Sequence, residues 1–598
     1  MAWIKPRASG EANNARMDAE QPSRRLDRLL HAAAMPLTRG LSPVSLSLAW
    51  ADWAWHLALT PGRQMELAAK AASLGADAAR VAFGGPADEP TGDADDDPRF
   101  RDPAWERWPY SAIRHTFRNQ EAWWREAASA PGMTEHHAAL TQFFARQWLG
   151  MLTPANGLWT NPVVLQDAID SRGTHLAQGA MHALRDATGQ PDPERDAEAA
   201  RYVVGRDVAA TPGDVVLRNP LIELIRYAPQ TATVRPEPVV IVPSWIMKYY
   251  ILDLSPHNSL ARYLVQQGHV VYMLSWRNPD EHDRDLSMDD YLRLGVLDAL
   301  QAVGALHGHA RPVHAMGYCL GGTLLAIAAA ALAARHGPEG EQRLSPTGLP
   351  PLATLTLLAA QTDFAHPGEL GLFIDESQVA YLDEITRGPG YLTGPQMAGS
   401  FQFLHSRELV WSRAMREYLL GTREPLTDLT AWNADTTRLP ARMHHEYLVA
   451  LYLKNALAAG RYRVGGRAVS LSDLGMPVFL VGTERDHVSP WRSVYQLHRL
   501  SDAEITFVLT SGGHNAGIVS EPGHAGRRYR ILRREAHGGW VPPEAWTAAA
   551  TPHDGSWWPA WQQWLAAHSG RAVSKARVPK ATSLGPAPGE YVLQRYAD

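Results

Sequence analysis

Six short apolar runs in the last two thirds of the chain, separated by stretches of helical periodicity, constrain the fold more than any other feature of the sequence. They are "PVVIVPSW" (238–245), "HVVYMLSW" (269–276), "PVHAMG" (312–317), "LATLTLLAA" (352–360), "PVFLVGTERD" (477–486) and "ITFVLTSGGH" (505–514). Apolar with little alternation and rich in β-branched residues, they read as strands buried on both faces, the pattern of a parallel sheet. Helical segments such as "SLARYLVQQG" and "DDYLRLGVLDALQAVGALHG" lie between them, a βαβ rhythm that predicts an α/β domain. Such a sheet delivers the carboxyl ends of its strands to one edge, so residues far apart in sequence can meet there.

One interval breaks the rhythm. Between Ala360 and Pro477 lie more than a hundred residues of helical and irregular sequence, too long for an ordinary crossover, so residues 361–476 are expected to form a cap or lid. Ahead of the sheet, residues 29–200 have helical spacing and many tryptophans, of which Trp105, Trp108, Trp123 and Trp124 are expected to serve packing. Residues 1–28 and the acidic run "TGDADDDP" (91–98) read as a disordered tail and a linker. At 598 residues the chain is too long for one ordinary core, and the catalytic domain is placed at 201–598. A net charge of −5 argues against a nucleic-acid partner. The absence of a long apolar run argues against a transmembrane segment. A single cysteine and an opening without an apolar signal core lead us to expect a cytoplasmic protein.

That single cysteine carries the chemistry. Gly317-Tyr318-Cys319-Leu320-Gly321 fits G-x-nucleophile-x-G, with a strand before it and the helical run "TLLAIAAAALAARHG" after it. A strand, a sharp turn and a helix hold the middle residue in a strained conformation, and the flanking glycines are needed because a Cβ there would strike neighbouring backbone. The turn also sets the sulfur at a helix N-terminus, whose dipole favours an anionic nucleophile.

An elbow of this kind is followed along the chain by an acid and then a histidine. Asp486 stands just past the strand "PVFLVG", and His514 in the glycine-rich turn after the next strand. His514 is the expected base and Asp486 the group that orients it. His487 competes, but its adjacency to Asp486 on an extended chain is expected to turn it the other way. The oxyanion donors are expected to be the backbone N–H of Leu320 and, from the loop "PSWIMKYYILDL", that of Ile246. Lys248, Tyr249, Tyr250 and Asp253 of the same loop are candidate substrate contacts.

With these residues in place the sequence resembles the polyhydroxyalkanoate synthases that work as one long polypeptide. The resemblance runs through "FRDPAW", "MLTPANGLWTNP", "KYYILDL", "SWRNPD", "GYCLGG", "AWNADTTRLP", "GTERDHVSPW", "SGGHNAGIVSEPG" and "PGEYVLQRY". It implies an α/β-hydrolase fold with a cap and a helical N-terminal region, and it assigns nucleophile, acid and base to Cys319, Asp486 and His514. It further implies an acyltransferase that takes (R)-3-hydroxyacyl-CoA, with 3-hydroxybutyryl-CoA as the expected substrate, onto a cysteine and passes it to a growing polyester chain. A homodimer formed through the cap and residence at cytoplasmic polyester granules are implied too, with no metal or cofactor. The sequence departs from the family pattern at Met247, where an asparagine is expected, and at the bulky Trp245. Trp432 of "TAWNADTTRLP" is the expected anchor of self-association, and the tryptophans of "HDGSWWPAWQQWLAAHSG" are expected on a helix packed at the end of the domain.

Two other readings compete. A cysteine hydrolase of the dienelactone hydrolase or thioesterase type shares the elbow, but the dienelactone hydrolases lack the N-terminal helices, the insertion and the "SWRNPD" and "AWNADTTRLP" segments. A non-catalytic granule-binding scaffold would have no need of an intact Cys, Asp and His set.

Overall fold

The computed structural model describes residues 41–86, 97–333, 348–393 and 411–595. The expected tail, and the expected linker up to residue 96, lie outside the described residues. At the end of that run Asp97 is ordered in its role: it caps a short turn by accepting from Arg99 N at 3.1 Å and pairs with the Arg99 guanidinium at 2.7 Å.

The helical region opens with α1 (Pro43–Ala58) and α2 (Pro61–Ala82), each started by a proline in its first turn, where the missing N–H costs no hydrogen bond. α3 (Tyr110–Ala127) and α4 (Glu135–Met151) follow, with Thr134 capping α4 through the N–H of His137. Trp105 is buried against Phe100 and Tyr110, and Trp123 and Trp124 are half-buried with the indole N–H of Trp123 on Leu67 O. Trp108 departs from expectation: it is 70% exposed. Its indole N–H donates to Ala82 O at the end of α2, which fixes one edge of the ring and leaves the rest open. Helical spacing places a residue on a face but does not say that the face is covered.

The sheet has ten strands. They are β1 (Gly213–Arg218), β2 (Ile222–Tyr227), β3 (Val239–Val242), β4 (Val271–Trp276), β5 (Val313–Tyr318), β6 (Leu352–Leu358), β7 (Val478–Thr483), β8 (Ile505–Thr510), β9 (Arg528–Arg534) and β10 (Thr551–Asp554). Their order is β1-β2-β4-β3-β5-β6-β7-β8-β9-β10. The six strands read from the sequence, β3 to β8, pair in parallel and form the centre. Antiparallel pairs extend it on both sides. The strand that leads into Cys319, β5, lies between β3 and β6, and β7 and β8 continue beyond β6, so the carboxyl ends that precede Cys319, Asp486 and His514 share one edge of the sheet. Helices cover both faces. On one of them the C-terminal helix α6 (Trp558–Ala567) buries Trp558 and Trp561, with Trp557 just before it.

Between β6 and β7 the insertion supplies a helix at Glu376–Arg387, a short helix at Asp428–Asn433, and a helix Ala441–Tyr447 that widens into a π-helical turn over Leu448–Leu453. Its stitching to the loop after β3 is dense. Thr437 donates its hydroxyl to Trp245 O at 2.6 Å and its N–H to Ile246 O at 3.1 Å, and Asp428 accepts from Ser255 and Asn258. On its other side the insertion receives the N-terminal helices: Phe143 of α4 packs edge-on against Phe373 at 5.1 Å, and Ser42 N donates to Gln378. Trp432 therefore works inside the chain. It is 2% exposed and its indole N–H donates to Lys248 O at 2.8 Å, which corrects the expectation that it offers its ring to a second copy. Trp432→Ala is expected to remove this anchor at a cost of about 3–5 kcal/mol, seen as a lower thermal unfolding midpoint and earlier proteolysis of the insertion. An unchanged midpoint would show the ring to be dispensable.

Candidate active site

The elbow after β5 is built by close approach. A Cβ on Gly317 would lie 2.4 Å from the Cα of Gly322, and one on Gly321 would lie 2.2 Å from the carbonyl oxygen of Pro243. Neither can be relieved by moving a flexible side chain, since both obstacles are backbone. The turn forces Cys319 to a φ of 53°, in the left-handed region that non-glycine residues seldom occupy. Its own N–H is held by Leu358 O at 2.9 Å, at the end of β6. The following helix, α5 in our numbering, spans Leu320–Ala333 and aims its N-terminus at the sulfur.

Asp486 and His514 arrive from the ends of β7 and β8. The Asp486 side chain is fully buried and is held by four donors: Val488 N at 2.9 Å and Ser489 N at 2.7 Å on one oxygen, Thr483 Oγ1 at 3.1 Å and His514 Nδ1 at 2.8 Å on the other. A carboxylate can only accept, so Nδ1 of His514 carries the proton and Nε2 is left for Cys319. Burial pushes the His514 imidazole toward its neutral form. The Asp486 charge and a side-chain interaction with Cys319 oppose this, and the net direction is well above the ordinary histidine value. The Tyr318 ring lies 5.6 Å from that of His514, and its hydroxyl donates to Asn515 at 2.6 Å, which steadies the turn. His487, expected to point away, is exposed and lines the same cavity as His514.

Cys319, His514, Tyr318 and His487 line a cavity of about 560 Å³ with a mainly apolar wall, and Asp486 lies behind His514, outside the lining. Leu320 and Ile246 line it too. The Ile246 N–H donates a long hydrogen bond, 3.3 Å, to Ser244 Oγ. The remaining loop residues divide. Lys248 lines the cavity with its body, while its ammonium donates to Gln594 O at 2.7 Å and Tyr591 O at 3.3 Å. Tyr249, Tyr250 and Asp253 lie outside the lining. Tyr249 is buried in the core under the sheet, and Tyr250 donates to Asp435 of the insertion at 3.0 Å. Asp253 accepts from the hydroxyls of Ser259, Tyr227 and Thr211. Burial raises its carboxyl above the usual range despite these donors. All three serve the architecture behind the site. Among the described residues no group of three or more His, Cys, Asp or Glu is placed to hold a metal ion.

Among the cavity residues that escaped the sequence reading are Tyr447 and Tyr452. Residues five apart on an α-helix point about 140° away from each other. Here the π-helical turn brings the phenols together, with Tyr447 donating to Tyr452 at 3.2 Å. Burial raises both above the ordinary phenol value, and the proximity of Cys319 adds to it. No spacing rule applied to sequence would have paired them.

Comparison with known proteins gives this geometry a family. Residues 96–264 match the model of the "Poly-beta-hydroxybutyrate polymerase (PhaC) N-terminus", residues 21–63 a second model of the same polymerase's N-terminal part, and residues 237–521 the alpha/beta hydrolase fold. The chain is 38% identical over 506 residues to a poly(3-hydroxyalkanoate) polymerase of Methylorubrum extorquens, covering 83% of this chain and 81% of that protein. The chain belongs to the poly(3-hydroxyalkanoate) polymerase family. The polymerase subunit of Rhizobium etli is 37% identical over 514 residues, covering 85% of this chain and 78% of that protein, and that of Rhizobium meliloti 35% over 523 residues, covering 84% and 82%. Membership makes this chain an acyltransferase on an α/β-hydrolase fold, as its elbow and family resemblance implied.

The upward direction of His514 sets a sign. A histidine raised in the folded state stabilises the fold below its unfolded value, about 6.5, and that contribution is lost as pH rises through the folded value. In Asp486→Asn the imidazolium loses its anion, so His514 is expected to titrate at lower pH than in the unmodified protein, read from histidine ring resonances. The same variant should show a smaller loss of stability on the alkaline side. An unchanged titration would mean that another group holds the charge.

Proposed function

We propose that this polymerase takes (R)-3-hydroxyacyl-CoA, with 3-hydroxybutyryl-CoA as the substrate to test first, and forms polyester and free CoA through an acyl-Cys319 intermediate. The observation that carries the reading is the elbow cysteine at a φ of 53°, in contact with a histidine whose other nitrogen is fixed 2.8 Å from a buried carboxylate, in a mainly apolar cavity. In the first step the sulfur attacks the thioester carbonyl, the oxyanion is met by the N–H groups of Leu320 and Ile246, and protonated His514 returns a proton to the departing CoA thiolate. In the second step His514 removes a proton from the hydroxyl of another acyl unit or of the chain end. The resulting oxygen attacks acyl-Cys319, and the thiolate leaves. Exchange of one thioester for another is nearly thermoneutral, whereas forming an oxygen ester from a thioester runs downhill, so a cysteine suits both steps.

The catalytic triad, Cys319, Asp486 and His514, and the oxyanion pair are part of this proposal. So are a division of the chain near residue 201, cytoplasmic residence at granules, and self-association to a homodimer. Large exposed apolar residues on and after the N-terminal helices, among them Phe83, Trp108 and Trp159, support contact with an apolar granule surface. No helix among the described residues is long and apolar enough to cross a membrane.

The test is polymer mass and CoA release measured together from 3-hydroxybutyryl-CoA. A hydrolase would release CoA and free 3-hydroxy acid without polymer. Losing the nucleophile of a triad enzyme costs on the order of 10⁶ in turnover, and Cys319→Ser and Cys319→Ala are both expected to lose polymerisation on that scale. A serine hydroxyl is scarcely ionised near neutral pH, and an acyl-serine would have to exchange one oxygen ester for another. Polymerisation by either variant within about tenfold of the unmodified rate, a barrier difference of only about 1.4 kcal/mol, would place the nucleophile elsewhere.

A further inference from the structure

Just past β6 the chain turns out of the sheet through Ala359, at a φ of 46°, and enters the insertion at Gln361. This stretch presses against the nucleophile helix. A Cβ on Gly322 would lie 2.5 Å from that of Ala360, and the Thr323 hydroxyl donates to Gln361 O at 2.7 Å while the Thr323 N–H donates to Cys319 O at 3.1 Å. Gln361 is thus tied by its backbone to the first turn after the nucleophile. The residue lines the cavity that holds Cys319, it is 4% exposed, and its Nε2 is buried there without a hydrogen-bond partner.

A buried amide left unpaired is unfavourable, and native structures keep few of them without a reason. A ligand that brings an oxygen removes the deficit. In the reaction proposed above, on which this inference rests, the thioester carbonyl is met by backbone N–H groups. The acyl group has one other polar atom, the hydroxyl at carbon 3. An amide suits it, since a primary amide offers both a donor and an acceptor and turns about its terminal torsion with little resistance. We infer that Gln361 is a specificity-determining residue that hydrogen-bonds the 3-hydroxyl oxygen of the acyl unit entering the Cys319 site.

The experiment compares single-turnover acylation of Cys319 by 3-hydroxybutyryl-CoA and by butyryl-CoA, which lacks the hydroxyl, in the unmodified protein and in Gln361→Leu. The expected result is a loss of about tenfold or more with the hydroxylated thioester and little change or a gain with butyryl-CoA, so that the preference between them collapses. The thermal midpoint of Gln361→Leu should hold or rise, because an unpaired polar group has been replaced by an apolar one. If the leucine variant does not fold, Gln361→Met, unbranched and of the same length, is measured with the same two substrates. Equal loss with both thioesters, or an unchanged preference, would overturn the assignment and leave Gln361 as a group paired by a resident water. Failure of the unmodified protein to form any acyl-Cys319 would instead overturn the covalent reading, and the assignment with it.

Discussion

The structure depends on how closely two pieces of backbone pass at the elbow. Gly321 sits against the carbonyls of Val242 and Pro243 at the end of β3, and Gly317 against the backbone of Gly322. These contacts allow α5 to start directly above β5, they hold Cys319 in its left-handed conformation, and they bring the loop after β3 beside the sulfur. A side chain at either glycine would lift the helix off the sheet. Strain of this kind persists only where the surroundings over-determine it, and here β3, β5 and β6 all contribute, the last through the bond from Cys319 N to Leu358 O.

Behind the elbow, buried polar groups tie remote parts of the chain to the same edge. Glu223, fully buried on β2, accepts from the N–H groups of Glu590 and Tyr591 at 2.9 Å each and from Arg218 Nε at 2.7 Å. Lys248 reaches the carbonyls of Tyr591 and Gln594 from the other side. The C-terminal segment is thereby clasped between a buried carboxylate and a buried ammonium, both bonded to its backbone, with Arg218 pairing the carboxylate. Truncating one partner of such a site leaves a buried charge without its compensation, which is far more costly than the net worth of the contact. The loop residues Lys248, Tyr249, Tyr250 and Asp253 are polar and near the site because they hold this framework together, not because they line the cavity as a set.

What could be read from the sequence follows from burial. β3 to β8 are covered on both faces, and so each appears as an unbroken apolar run. The flanking strands did not announce themselves. β2 carries Glu223 and Arg226 within six residues, and β9, "RYRILRR", bears four arginines near the sheet's edge, where charge discourages pairing with another chain. The elbow, Asp486 and His514 were legible because fold logic ties their order along the chain to their meeting at one edge. Residue type could not settle orientation in irregular segments. Trp108, in a turn, and Trp432, in a short helix, were each misjudged, one exposed and one buried, since a tryptophan in a short segment is equally suited to either until its neighbours are known. Tyr447 and Tyr452 were hidden by a π-helical turn that no heptad or alternation template describes.

The insertion does more than roof the cavity. A trans peptide points its carbonyl and its N–H in opposite directions, so whatever grips the carbonyl of Trp245 also aims the N–H of Ile246. The Thr437 hydroxyl of the insertion lies 2.6 Å from it and equally near the next carbonyl, that of Ile246, which the N–H of the same threonine holds at 3.1 Å, so the hydroxyl's one proton serves the Trp245 carbonyl. Trp432 takes the carbonyl of Lys248. The insertion has therefore occupied the carbonyls of Trp245, Ile246 and Lys248, and the N–H of Ile246 is turned away from it, on the long contact to Ser244. Under the proposed reaction that N–H is where negative charge develops, and a weakly held donor whose direction is already fixed can transfer to the oxyanion with little rearrangement. The bulk of Trp245 fits the same logic. Its ring packs among Trp276, Tyr291 and Tyr447, away from the loop's hydrogen bonds, so this departure from the family pattern adds an apolar anchor to the loop while leaving the orientation of its backbone to the insertion.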